Sequence, residues 1–302
     1  MTAWHADPRA HRGVALIIVL WIVGALSVLV LGLVHAQRSE LRLASAAREL
    51  TRESAIGRAA IQLAAQLQRA QRAQPSPPVR LQRIAVSYGG RDVVVEVMPL
   101  TGLVDLNEAP LPLLAALFAQ AGSLDEPAAR ALAAATLARR EQRLPDGSDN
   151  RLQAVEELLS LPGVDYPLLA RIAPLVTIDS AGSGRVNALA APYEVLLVLA
   201  RGRADIARRV ADDRDAGHAG VDTTRLEAEY IDATVSSRYR FTAHVPADDG
   251  SRVLVQRDID LRPAAPADRA VPLEQAPWQT LRSRQWRVGV DAQAPSPPHV
   301  GR

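Results

Sequence analysis

The chain has 302 residues, enough for one large or two modest domains with a sizeable core. Its 35 basic residues, every one an arginine, nearly balance 33 acidic ones and leave a net charge of +2, so no nucleic-acid partner is demanded. With no cysteine, thiol catalysis, disulfides, cysteine-ligated zinc and a lipoprotein anchor are all excluded.

From Val14 to Val34 the sequence carries no charge. A helix of that length spans roughly 31 Å at about 1.5 Å per residue, which matches a bilayer core. A cleaved secretory signal, cut near Val34-His35-Ala36, is the competing reading, although its apolar region would exceed the usual length of about 7–15 residues. Arg9 and Arg12 favour a cytoplasmic N-terminus, and Arg38, Arg42 and Arg48 beyond the run blunt that asymmetry. A long folded domain after the span would cross the membrane largely regardless of these charges. Gln37–Gln74 keeps a helical alphabet of Ala, Leu, Arg, Glu and Gln, with Leu43, Leu50, Ala60, Leu63 and Leu67 at helical spacings. The spacing predicts one rod ending at Pro75.

Here the residues resemble a known family. Arg12-Gly13 followed by an uninterrupted apolar start at Val14 resembles the class III signal peptides of type IV pilins and type II pseudopilins. The resemblance implies a leader over 1–13, cleavage between Gly13 and Val14, N-methylation of Val14, a membrane helix over 14–36 and an amphipathic extension over 37–74. In most such subunits the fifth mature residue is Glu; counted from Val14, that position is Ile18. The Glu is understood to neutralise a neighbouring terminal ammonium inside the membrane, where an unpaired charge is expensive. Lacking it resembles the K-type minor pseudopilins of type II secretion systems, which the family places at the filament tip. An ordinary membrane anchor, without processing, is the plainer reading.

Further along, Leu81–Tyr88 and Arg91–Met98 alternate apolar and polar residues around Gly89-Gly90, which predicts a β-hairpin. Far downstream, Tyr239–Val245 and Ser251–Leu261 alternate in the same way around the turn Pro246–Gly250. Isolated hairpins are marginal, so segments 79–100 and 234–262 are expected to complete one sheet against the amphipathic helix. The fold class is α+β: a pilin-like long N-terminal helix on an antiparallel sheet, with a large inserted all-helical domain over 101–232. The Pro-, Ala- and Arg-rich segment 263–302 reads as a tail without fixed structure, with Trp278 and Trp286 as docking points.

The insertion contains a repeat at an offset of 82 residues. Gly102, Val104, Ala109, Pro110, Leu114 and Leu117 correspond to Gly184, Val186, Ala191, Pro192, Leu196 and Leu199. Each Ala-Pro pair can open a helix with proline at its first position. Val104-Asp105-Leu106-Asn107, Val186-Asn187 and the run Val155–Val164 resemble the signature turns of the K family's helical insertion. The second copy departs by carrying Leu189 where the first has Asn107, and Ala138–Gln142 replaces an acidic stretch associated with calcium in some K subunits.

The resemblance implies a non-enzymatic subunit held single-pass in the inner membrane, N-terminus cytoplasmic and bulk periplasmic, without a cofactor. Its implied partners are I- and J-type minor pseudopilins (with H a further candidate), the major pseudopilin, the prepilin peptidase and the assembly platform.

Other motifs have plainer readings. Asp146, Ser148, Asp149 and Asn150 gather oxygen ligands, and Glu157 stands twelfth from Asp146, yet Arg151 fills the sixth place where an EF-hand needs glycine. A polar surface turn is favoured over a calcium site at Asp146, Asp149, Asn150 and Glu157. Leu161-Pro162-Gly163-Val164 resembles the turn of a helix-hairpin-helix, which would make the chain a membrane-tethered DNA-binding or minor pilin component of a pilus or DNA-uptake system. Asp165, however, puts negative charge beside any phosphate. The six histidines show no metal spacing, and no nucleophile stands with a base.

Overall fold

The structure is a computed structural model that describes residues 10–72, 80–145, 147–218, 220–234, 236–262 and 278–289; in the first helix it describes the side chains of residues 19–26 and 47–71. The chain divides into two compact units, Met1–Arg52 and Glu53–Arg302, and helix α1 (Ala10–Arg72) contributes to both.

In the first unit, Val19, Leu20, Trp21, Ile22, Val23 and Leu26 are each more than half exposed. Five consecutive apolar residues cover more than a full helical turn, so this surface is apolar all round. Among the described residues no helix is long and apolar enough to cross a membrane; for most of the run Val14–Val34, Val14 and Ile18 included, and for Gly13 before it, only the helical backbone is described.

In the second unit α1 buries Ile56, Ala60, Ile61, Ala64 and Ala65. Small residues set this face because the helix lies close upon the sheet: a Cβ on Gly57 would come within 2.6 Å of the Val255 side chain. The expected stripe is corrected here, since Leu63 and Leu67 are 40% and 50% exposed. The two leucines stand at the edge of the face that Ile56, Ala60, Ile61, Ala64 and Ala65 bury.

Strands β1 (Gln82–Tyr88) and β2 (Arg91–Pro99) form the expected hairpin, with Ile84 opposite Val95 and Val86 opposite Val93. The chain then leaves the sheet. It forms β3 (Val104–Asp105), α2 (Leu111–Gln120), α3 (Glu126–Glu141), α4 (Tyr166–Ile172), β4 (Val176–Thr177), α5 (Tyr193–Leu199) and α6 (Ala204–Asp215). It returns as β5 (Arg238–Pro246), pairs β6 (Arg252–Asp260) to it, and closes with β7 (Gln279–Val288). The sheet is antiparallel in the order β1-β2-β5-β6-β7, a meander interrupted once.

The expectation of a structureless tail is corrected over β7. The ladder to β6 and side-chain pairs from three arginines hold this strand, which has little apolar alternation of its own. Trp278 is 6% exposed and so is internal rather than a docking point, whereas Trp286 is 39% exposed. Residues 263–277 and 290–302 lie outside the described residues.

The helical insertion has its own core, built from Leu113, Leu114, Leu117 and Phe118 of α2, Leu132 of α3, Ile172 of α4, Val195 and Leu199 of α5, and Ile206 and Val210 of α6. Its two copies share local structure. Glu108 N donates to Asp105 O at 3.2 Å, and Ala190 N donates to Asn187 O at 3.0 Å, 82 residues on. Leu114 N and Leu196 N donate to Pro110 O and Pro192 O at 3.1 and 3.0 Å. Both prolines occupy the N-cap position, one residue earlier than expected.

The copies also meet reciprocally. A Cβ on Gly102 would overlap the Ala190 carbonyl, and one on Gly184 would overlap the Glu108 carbonyl. Glu108 and Ala190 are themselves equivalent positions, so each copy seats its glycine on the turn of the other.

Candidate functional site

The strongest polar cluster lies where the insertion meets the sheet. Asp105, 4% exposed, takes the amide of Asn107 at 2.8 Å on Oδ1. Its Oδ2 accepts from Ser180 N at 3.0 Å and from Ser180 Oγ at 2.6 Å. Burial raises the pKa of this carboxyl, and the Ser180 and Asn107 bonds oppose the shift without cancelling it. Asn107 clasps Leu152 both ways, donating to its carbonyl and accepting from its amide at 2.9 Å each. In the second copy Asn187 Oδ1 accepts from Leu189 N at 3.0 Å, the counterpart of the Asp105–Asn107 bond. Leu189 cannot form the second clasp and stands 38% exposed.

From the sheet side, Arg240 reaches the same segment. It pairs with Asp258 through Nε (2.9 Å) and Nη2 (3.0 Å), and donates through Nη1 to Pro174 O at 3.1 Å. Arg238 donates to Asp179 O at 3.1 Å, Ser236 Oγ to Ser180 O at 2.9 Å, and Arg282 to Asp179 Oδ2 at 2.9 Å. The stretch Pro174–Ser180 is therefore held between Asp105 within the insertion and a row of sheet side chains. In these bonds hydroxyls, amides and guanidinium groups donate to carbonyls and carboxylates, which ties the insertion to the sheet.

The loop that holds Asp149, Asn150 and Glu157 is organised by arginine. Glu157 pairs with Arg139, and Asp149 lies 3.5 Å from Arg143. Asn150 Nδ2 meets Gln142 Oε1 at 3.4 Å, and Asp146 lies outside the described residues. Among the described residues no three acidic or histidine side chains gather in a way that could hold a metal ion.

The helix-hairpin-helix reading is not favoured by the geometry. Asp165 is the N-cap of α4, and its carboxylate accepts the Leu168 amide at 2.8 Å, taking up an amide that a phosphate would need. On the back of the sheet, His244 is held neutral, its pKa lowered to about 4 by burial and by the charges of Arg252 and Arg83. Between α2 and α3 an open, chiefly apolar cleft of about 410 Å³ is lined by Leu111, Pro112, Ala115, Ala119 and Ala129.

Sequence reasoning singled out Asp105, Asn107 and Asn187 as parts of signature turns, and the structure gives them hydrogen-bonding roles at the two copies. It missed Ser180, Arg240 and Asp258. The alternation that placed Arg240 and Asp258 on one face of β5 and β6 was the available signal.

These elements define a class, an α+β domain with a long helix on an antiparallel sheet and a two-copy helical insertion between its second and third sheet strands. No family model and no curated protein matches the chain. Among solved structures, it is similar to a chain in the crystal structure of the GspK-GspI-GspJ complex from the enterotoxigenic Escherichia coli type 2 secretion system. That similarity has 14% identity and a TM-score of 0.42, and covers 83% of this chain and 99% of the other.

Proposed function

We propose that this chain is a K-type minor pseudopilin of a type II secretion system, a structural subunit at the pseudopilus tip that helps initiate assembly. In this reading the prepilin peptidase cuts between Gly13 and Val14, Val14 is N-methylated, and Val14–Val34 anchors the chain in the inner membrane with its bulk in the periplasm. The observation that carries the reading is architectural: a helix with a fully apolar, exposed stretch at Val19–Leu26 goes on to pack against an antiparallel sheet interrupted by a helical insertion. The leader-like residues before Val14 agree with it.

Leu63 and Leu67, one turn apart and exposed on α1, offer a stripe suited to the helix of another minor pseudopilin of I or J type. Ile18 supplies no carboxylate for an incoming terminal ammonium, which suits a subunit that receives no neighbour above it. The major pseudopilin and the assembly platform are further partners under this reading.

The test is the N-terminus of the protein isolated from membranes that contain a prepilin peptidase, determined by mass spectrometry. A chain starting at methylated Val14 is expected. An intact Met1, or a start at Gln37, would overturn the proposal.

A further inference from the structure

Strand β7 joins the sheet on different terms from the other four. Asp260, the last residue of β6, pairs with Gln279, the first of β7, so the ends to be joined are neighbours. A two-residue turn would join them, yet the connection Leu261–Trp278 runs eighteen residues.

The strand also buries little apolar surface. Trp278 precedes it, and Leu281, the extra residue at the ladder irregularity beside Asp258 and Ile259, packs on Met98, Leu100 and Leu103. Otherwise its side chains hold on through arginine: Arg282 to Asp179 at 2.9 Å, Arg284 to Glu156 at 2.9 Å, and Arg287 to Asp249 and Glu53 at 3.2 and 3.3 Å. The pairs to Asp179, Glu156 and Asp249 are partly exposed, contribute little each and weaken with salt, whereas Glu53 is buried at 1% exposure and gives Arg287 the firmest hold. Meanwhile β6 is complete without β7, since it pairs with β5 along its whole length and buries Val253, Val255 and Ile259. Taking β7 away would leave a four-stranded sheet with one open edge.

We propose that the outer edge of β6 is an exchangeable strand seat, filled by the chain's own β7 and able to take the β7 of a second copy. The seat selects an antiparallel segment with arginine at the first, third and sixth places of Arg282–Arg287, where Asp179, Glu156 and the Glu53–Asp249 pair wait. A tethered strand has an effective concentration on the order of mM, so a second copy competes when its local concentration approaches that value. The inference does not depend on the proposed function.

The absence of natural cysteine makes the test clean. Leu254 and Trp286 are register partners, as are Arg252 and Val288. Full-length chains carrying Leu254→Cys are mixed in detergent with a size-tagged copy carrying Trp286→Cys. The mixture is held at about 1 mM protein in about 0.5 M salt, returned to low salt and oxidised. The same is done with Arg252→Cys and Val288→Cys, and the double variants in one chain set the yield of closure within a copy. A mixed disulfide dimer at least about fivefold above that from the same mixture kept near 10 µM is expected. Absence of that enrichment at both pairs overturns the proposal.

Discussion

Arg240 and Asp258 face each other across β5 and β6 at 5% and 1% exposure. Removing one partner of such a pair strands the other's charge, at about 3–5 kcal/mol. Asp258→Leu should fall in that range, because the guanidinium keeps only its bonds to the Pro174 and Val176 carbonyls. Arg240→Met should cost more, about 5–6 kcal/mol, since it strands the carboxylate and leaves two carbonyls short of a donor at about 1 kcal/mol or less each. The double variant keeps no charge and only the two short carbonyls, so it should lose about 2 kcal/mol or less, below either single change. Urea unfolding of the full chain, followed by tryptophan fluorescence, measures all three, and amide exchange at Val176 and Thr177 reports whether the segment beneath Arg240 loosens first. Costs that simply add in the double variant would refute the reasoning, for they would mean that the two side chains act independently.

Asn107→Leu should cost about 3 kcal/mol by leaving both Leu152 backbone groups unpaired, whereas Leu189→Asn at the equivalent place should change unfolding free energy by about 0.5 kcal/mol or less. Gly102→Ala and Gly184→Ala should each lower stability by about 2 kcal/mol or more, and the pair should fall short of the sum, because the two contacts belong to one interface between the copies. Asp105 has its pKa raised in the folded chain, so the fold holds that proton more tightly than the unfolded chain does. Its contribution is therefore lost as pH rises from the ordinary value of 3.8 through the raised one, and Asp105→Asn should gain on the parent across that window in a pH series of urea midpoints. His244 has the opposite linkage: its folded pKa, about 4, lies below the unfolded 6.5. Stability should thus fall as pH drops from 6.5 toward 4, by on the order of 2 kcal/mol, and His244→Asn should flatten that slope.

Local pattern carried much of this fold into view. Alternation along Ile84–Tyr88, Val93–Val97, Tyr239–Val245 and Val253–Leu261 marked four strands, and the 82-residue offset marked two copies of a turn that share their backbone bonds. What escaped has physical reasons. Strand β7 draws its stability from a ladder and from arginine pairs with distant carboxylates, and neither leaves a period in its own residues. The buried face of α1 mixes Ile56 and Ile61 with alanines and Gly57, whose contact with Val255 is close, so a leucine spacing alone did not mark it. The clasp of Asp105 on Ser180 joins residues 75 apart in sequence, where no spacing rule reaches.

The two points at which the insertion leaves and rejoins the sheet are themselves partners, for Pro99 stands opposite Tyr239 in the β2–β5 ladder. The chain from Leu100 to Ser237 leaves and returns at that rung. A short hairpin could close that rung without moving any other strand pairing, so the insertion is a graft that evolution or an engineer could lengthen, shorten or exchange while the helix-on-sheet frame stayed in register. What limits such an exchange is the Pro174–Ser180 seam, where Arg238, Arg240 and Arg282 would each need a new carbonyl or carboxylate to hold.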